Sequence, residues 1–165
     1  MDLIIDGYNL IGADQGLSGT IEHKRNRLIH QISGYQRRKR FNVIVVFDGW
    51  RSGQPQESRA RRDDVTVVYS RLGEKADSVI VRLAREIGGG SVVVTSDREI
   101  ARAVERFGAI PIYAGEFNEI LRSLERAPEE YDFAEGEFDG SYSGKRNRLS
   151  KSDRKRQEKL RKMRL

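Results

Sequence analysis

The sequence has no cysteine, so it can build neither a disulfide framework nor a thiolate metal site, and a reducing compartment suits it. It has only two histidines, His23 and His30, too few for a histidine-rich zinc centre. Any metal must therefore sit on oxygen ligands. No stretch approaches the roughly 18 consecutive apolar residues of a membrane-crossing helix, which argues against a membrane partner. The first residues, Met1-Asp2-Leu3-Ile4-Ile5-Asp6, contain neither a basic leader region nor a cleavage site, so a cytoplasmic location is expected. The remainder is polar, with 37% hydrophobic and 34% charged residues. The length of 165 residues suffices for one ordinary domain with a real core.

The net charge of +6 is unevenly spread. Lys145 to Leu165 carries eleven Lys or Arg against two acids, a local +9, which leaves −3 for residues 1–144. A mildly acidic body thus precedes a strongly basic tail.

Short apolar, β-branched runs alternate with helical spacings. Leu3–Ile5, Val43–Phe47, Val65–Tyr69, Val92–Thr95 and Ile110–Ile112 predict strands buried on both faces of a parallel sheet. Ile21 to Tyr35, Lys75 to Ile87, Arg98 to Phe107 and Glu116 to Leu124 predict helices, and Gly88-Gly89-Gly90 ends the second of them. This alternation is that of a layered α/β domain covering residues 1–126. Residues 127–144 read as an acidic linker with Tyr131, Phe133, Phe138 and Tyr142 spread through it. Residues 145–165 form the basic C-terminal tail, in which Ser150 to Met163 predicts a helix. Ser152 or Asp153 is its expected cap, and few apolar residues are available to hold it to a core, so the tail is expected to be mobile when free.

The position of the acids is the most informative feature. Asp6 follows the first strand, Asp48 follows the second, and Asp97 follows Val92–Thr95 after one serine. Parallel strands point the same way, so these acids face one crevice outside the carboxyl ends of the strands, where ligands bind in open α/β sheets. Asp77 lies in the first turn of the helix after Arg71-Leu72-Gly73 and is aimed at the same edge. Each acid alone has a structural explanation: a turn at Asp6-Gly7 or Asp48-Gly49, a helix-dipole acid at Asp77, an N-cap at Asp97. Together they would repel one another unless a hard divalent cation, Mg²⁺ or Mn²⁺, held them ionised. Such a site activates water and polarises a phosphodiester.

Asp6-Gly7-Tyr8-Asn9, Phe47-Asp48-Gly49, Glu74-Lys75-Ala76-Asp77 and Thr95-Ser96-Asp97, in this order, resemble the NYN branch of the PIN-like nucleases, closest to its YacP-like subfamily. The resemblance covers roughly residues 1 to 125. It implies a PIN-like three-layer α/β domain, with a mainly parallel central sheet flanked by helices, ahead of the basic tail. It also implies a metal-dependent endoribonuclease acting on RNA, with mRNA at the ribosome as the expected substrate. Asp6, Asp77 and Asp97 match the family's metal-binding acids and Asp48 the additional acid of the NYN branch, as a direct ligand or a helper. Asn9 matches the polar residue that orients the Asp6 end or contacts a phosphate. No residue stands out as a separate general base.

A polyanion must be held beside these acids. The segment Trp50 to Arg62 is read as a loop leaving the crevice edge, with Trp50 available to stack on a base and Arg51, Arg59, Arg61 and Arg62 to meet phosphates. Arg37 to Arg40 form a further basic run that is equally explained as an exposed helix end. In the tail, Lys145, Arg146, Arg148, Lys151, Arg154, Lys155 and Arg156 are expected to bind RNA with strong salt dependence, and a ribosome is one such polyanionic surface. The competing interpretation is a non-catalytic RNA-binding module on the same fold. A phosphotransfer domain of the haloacid-dehalogenase type needs a second acid where Tyr8 stands. The Gly88–Gly90 run does not follow a strand, so no nucleotide cofactor is expected.

Overall fold

The computed structural model describes residues 1–14, 18–49, 55–126 and 150–164. In chain order the elements are β1 Asp2–Asp6, α1 Gly7–Ala13, α2 Ile21–Lys39, β2 Asn42–Phe47, β3 Ser58–Arg62, β4 Val65–Tyr69, α3 Ala76–Ile87, β5 Val92–Val94, α4 Arg98–Glu105, β6 Ile110–Ile112, α5 Ala114–Arg126 and α6 Lys151–Met163. The strands form one sheet in the order β3-β4-β2-β1-β5-β6. All neighbours pair in parallel except β3 with β4. Among the described residues no helix is long and apolar enough to cross a membrane.

The continuous apolar runs are used on both faces, as the sequence predicts. Leu3, Ile5, Val43, Val45, Phe47, Val65, Val67, Val92 and Val94 join Leu10, Leu28, Ile32, Tyr35, Phe117 and Leu121 in one core, under α1, α2 and α5. The alternate residues Ile4, Val46, Val68 and Val93 meet Val79, Ile80, Leu83, Ile100 and Val104 in a second core under α3 and α4. The result is three layers, with the period of two along each strand dividing its side chains between them.

Two elements were not legible in the sequence. α1 is only seven residues long and begins on a glycine, so it offers too little periodicity. β3, expected as loop, pairs antiparallel with β4 through a two-residue turn in which Asp63 (φ 47°) and Asp64 (φ 69°) are both left-handed, as a type I′ hairpin turn requires. Its sequence, SRARR, lacks alternating apolar residues because it is an edge strand. Charged side chains there discourage pairing with another chain.

The expectation that little would hold the tail helix to the core is corrected. Leu160 and Met163 are buried in the larger core, a contribution of about 1.5–3 kcal/mol each. The buried Tyr35 hydroxyl donates to Met163 O at 3.1 Å, and Lys159 Nζ donates to Gly90 O at 2.8 Å. The N-cap is Ser150, not Ser152 or Asp153; Ser150 and Asp153 form a reciprocal capping box. α6 packs along β6, covering the sheet edge opposite β3.

Met163→Ala is expected to lower the unfolding free energy by about 2–5 kcal/mol, measured by urea denaturation. An unchanged midpoint would show that α6 does not stabilise the fold.

Candidate active site

Asp6 is the last residue of β1, opposite Val46 of β2. Asp48 follows Phe47, the end of β2. Asp97 follows Val94, the end of β5, by way of Thr95 and Ser96. β1, β2 and β5 are parallel, so all three acids leave the sheet at its carboxyl edge. Asp77, in the first turn of α3, reaches this edge because α3 starts where the chain from β4 ends.

Hydrogen bonds tie these ends together. Asp6 caps α1: Asn9 N–H donates to Asp6 Oδ1 at 3.1 Å. The other oxygen, Oδ2, accepts from the Thr95 hydroxyl at 3.4 Å. That hydroxyl oxygen in turn accepts from Asp97 N–H at 3.1 Å, so one threonine bridges two of the acids. Asn9 Oδ1 accepts from Ser96 N–H at 2.9 Å. Asn9 thus meets Asp6 through its backbone N–H and the Thr95–Asp97 segment through its side chain. Ser96 Oγ accepts from Ala114 N–H at 3.2 Å, fastening the start of α5 to the same cluster. Asp97 caps α4, its Oδ1 accepting from Glu99 N–H at 2.7 Å and Ile100 N–H at 3.3 Å.

The Asp48 side of the edge is built by close backbone approach. A Cβ on Gly49 would fall 1.5 Å from Ser70 O, and one on Gly7 would fall 2.2 Å from the Phe47 ring. Both Asp-Gly pairs owe their glycine to proximity. The Ser70 hydroxyl accepts from Gly49 N–H at 2.9 Å and donates to Glu74 O at 2.6 Å. Asp48 Oδ1 accepts from Ala76 N–H at 2.6 Å, next to Asp77. Asp48 thus anchors the helix that carries Asp77. Sequence reasoning missed Ser70 and Thr95 as positioning residues; the only signal was a small hydroxyl residue at the carboxyl end of each strand.

Asp6 is buried, with 7% of its surface exposed. Burial pushes its carboxyl up to about 6; Asp77 and Asp48 add to the rise, against the pull of the Asn9 N–H and the Thr95 hydroxyl. Among the described residues no Lys or Arg forms an ion pair with Asp6, Asp48, Asp77 or Asp97. The donor set is all carboxylate oxygen, which suits a hard divalent cation. Yet no three His, Cys, Asp or Glu side chains among the described residues are grouped to hold one ion together. The acids fit as holders of a largely hydrated ion.

The basic candidates are dispersed. Trp50, Arg51, Lys145, Arg146 and Arg148 lie outside the described residues. Arg59 pairs opposite Val68 near the carboxyl end of β4, and is held by Glu57 at 3.0 Å. Arg61 and Arg62 run away from the acids toward the hairpin turn, where they meet Asp64 and Asn26. The hairpin thus directs both toward the sheet's amino-end edge. Arg37 to Arg40 close α2 ahead of β2 and lie at that edge too. Lys151, Arg154 and Lys155 are exposed on α6, and Arg156 stands 5.0 Å over the Tyr113 ring.

The model of the YacP-like NYN domain matches residues 3–164 of the chain, extending through α6 and beyond the reach of the sequence motifs. The chain is 31% identical over 131 residues to the protein YacP of Bacillus subtilis (strain 168), covering 75% of this chain and 76% of that protein. It is similar to two crystal structures of Rae1 (YacP) from Bacillus subtilis, each at 30% identity. A single-site mutant superposes with a TM-score of 0.65, covering 76% of this chain and 77% of that one. The second structure gives 0.63, covering 76% of each chain.

The Asp6 carboxyl has a testable consequence in metal-free buffer. The folded state keeps this proton up to about pH 6, whereas the ordinary value is 3.8. Ionising Asp6 therefore costs the fold nothing below that ordinary value, progressively more as pH rises through the window, and its full amount above about 6. Asp6→Asn should raise the unfolding free energy at pH 7 by roughly 2–3 kcal/mol and leave it unchanged near pH 3.5. Denaturant titrations at both pH values check this; a variant no more stable than the parent at pH 7 refutes it.

Proposed function

The chain belongs to the YacP-like NYN family, and from that premise we propose that it is a metal-dependent endoribonuclease that hydrolyses RNA phosphodiester bonds, with ribosome-associated mRNA as its substrate. The NYN domain is a nuclease-like domain. The observation that carries the proposal is the buried Asp6 carboxylate, which Asp77 and Asp48 burden further and which no basic side chain among the described residues offsets. A carboxylate kept in that position needs a cation from outside the chain, and Mg²⁺ or Mn²⁺ answers to an all-oxygen donor set.

Asp6 and Asp77 are the proposed holders, with Asp97 contributing the oxygen that does not cap α4. Binding through one or two carboxylates with water completing the shell is the habit of Mg²⁺ and agrees with the spread of the acids. When bound, the ion supplies Lewis acidity that activates water and polarises the phosphodiester. The chain's own contribution is position. Thr95 and Asn9 fix the Asp6 end, and Asp48 fixes the N-terminus of α3 and so Asp77. Lys151, Arg154 and Lys155 on α6 supply non-specific attraction for RNA, and with it the proposed hold on the ribosome. We place the protein in the cytoplasm, where such a substrate is found.

The test is cleavage of single-stranded RNA in Mg²⁺ or Mn²⁺ by the parent and by Asp77→Asn and Asp97→Asn, repeated with mRNA on translating ribosomes. Asparagine keeps the Asp97 cap and removes the charge. Both variants should lose at least about 100-fold in rate, and EDTA should abolish parental activity. Equal cleavage by parent and variants refutes the proposed site. Cleavage on ribosomes alone ties the activity to presentation of the substrate there, and retention of function by both variants would favour a binding module.

A further inference from the structure

Among the described residues two large hydrophobic side chains are exposed, Leu72 at 59% and Tyr113 at 53%. Both lie on loops at the carboxyl edge of the sheet. The surroundings of Tyr113 give its exposure a chemical meaning. Ile112 ends β6 opposite Val94 of β5, and Thr95 N–H donates to Ile112 O at 3.0 Å. The next residue, Tyr113, therefore leaves the sheet beside Thr95-Ser96-Asp97, and the Ser96–Ala114 bond keeps it there.

The ring is held from within the protein. The Arg156 guanidinium stands 5.0 Å from its centroid and pairs with Glu116. Glu116 Oε2 also accepts from Tyr113 N–H at 3.2 Å. A groove of about 560 Å³ opens next to it, lined by Arg98, Arg102, Tyr113 and Arg156 with Glu105 and Asp153. Arg98 and Arg102 are exposed, one helical turn apart on α4, the helix that Asp97 caps. The groove thus begins at Arg98, the residue after Asp97, and runs outward between α4 and α6, with three arginines against two acids and an aromatic ring at its head.

We propose that this groove is a subsite for unpaired RNA next to the cleavage site, in which a nucleobase stacks on Tyr113 and the adjoining phosphates meet Arg98 and Arg102. Aromatic rings take unstacked bases, and arginines take the backbone between them. A duplex, whose bases are stacked on one another, cannot use the ring. The subsite makes the enzyme select single-stranded RNA and gives the C-terminal helix a part in substrate binding, because Arg156 braces the ring. It rests on the nuclease reading above for the identity of its ligand. The alternative role for Tyr113, docking α6, is already served by Leu160 and Met163 farther along the helix, and it would not leave half the residue open to solvent.

Binding is measured by fluorescence anisotropy with a short labelled RNA, single-stranded or annealed to its complement. The full chain carries Asp77→Asn, on α3 and away from the groove, to block cleavage. In this background Tyr113→Ala should weaken single-strand binding roughly tenfold, Tyr113→Phe should bind as the parent does, and duplex binding should be the same for all three. Arg98→Gln should weaken binding and lower the salt dependence by about one phosphate contact. Single-strand affinity untouched by Tyr113→Ala overturns the subsite. So does an equal loss for strand and duplex, which would assign the ring to packing of α6. The nuclease reading fails separately: a protein with all its acids that binds single strands through Tyr113 but cleaves nothing overturns that reading and leaves the subsite standing.

Discussion

A carboxylate removed from water at the end of the central strand is the constraint around which the carboxyl edge is organised. Asp6 gains two hydrogen bonds there, from the Asn9 N–H and the Thr95 hydroxyl, and both stabilise its charged form. Burial and the neighbouring acids outweigh them, which is why the carboxyl is pushed up to about 6. Each of its partners is shared. Thr95 also serves Asp97, and Asn9 also serves Ser96. Losing the Thr95 hydroxyl would disturb two acids at once, so the groups around these carboxylates form a connected set. The fold tolerates this local cost because the two cores on either side of the sheet supply stability elsewhere.

The charge pattern of the surface follows a related logic. Asp6, Asp48, Asp77 and Asp97 collect at one edge, and among the described residues basic side chains cluster elsewhere: on the antiparallel edge strand β3, at the end of α2, and on α6. Several of these cations are already engaged, Arg59 by Glu57, Arg61 by Asp64 and Arg156 by Glu116. So are cations on other elements: Arg82 is shared by Glu57 and Glu74, and Arg122 is held by Asp14 at 2.7 Å. Such exposed pairs contribute little to stability. A local negative field beside a dispersed positive one agrees with the proposed function, in which a cation and a polyanion are held at adjacent positions.

Most of the architecture was legible in the sequence because strands buried on both faces read as apolar runs and their carboxyl ends can be counted off. The convergence of Asp6, Asp48 and Asp97 on one edge follows from parallel pairing, and that of Asp77 from the start of α3 after β4. What escaped detection depended on pairing partners that a local pattern does not carry. β3 has no apolar alternation, because one of its sides faces solvent and its neighbour supplies the register. The docking of α6 rests on Leu160 and Met163 meeting Tyr35, which is 128 positions distant from Met163. Reading the tail by its net charge hid two apolar residues among many basic ones. The hydroxyls of Ser70 and Thr95 were invisible as positioning groups for a related reason: each joins a local partner to one at the end of another strand, Gly49 for Ser70 and Asp6 for Thr95.

Asp97 illustrates why a structural role and the proposed chemical one need not compete. A capping aspartate is worth about 1 kcal/mol to its helix, and both cap bonds here go to Oδ1. A carboxylate offers about four lone-pair positions, so capping α4 leaves Oδ2 available. The cap also restricts the side chain's rotation, and the α4 N-terminus favours negative charge at that point. The two functions therefore reinforce each other, since the bonds that stabilise α4 are those that aim the remaining oxygen. Asp48 repeats the arrangement, giving Oδ1 to Ala76 at the start of α3. Two helix starts are thus fixed by acids that belong to neighbouring strand ends, and the spacing between α3 and α4 is set by the same groups that define the site.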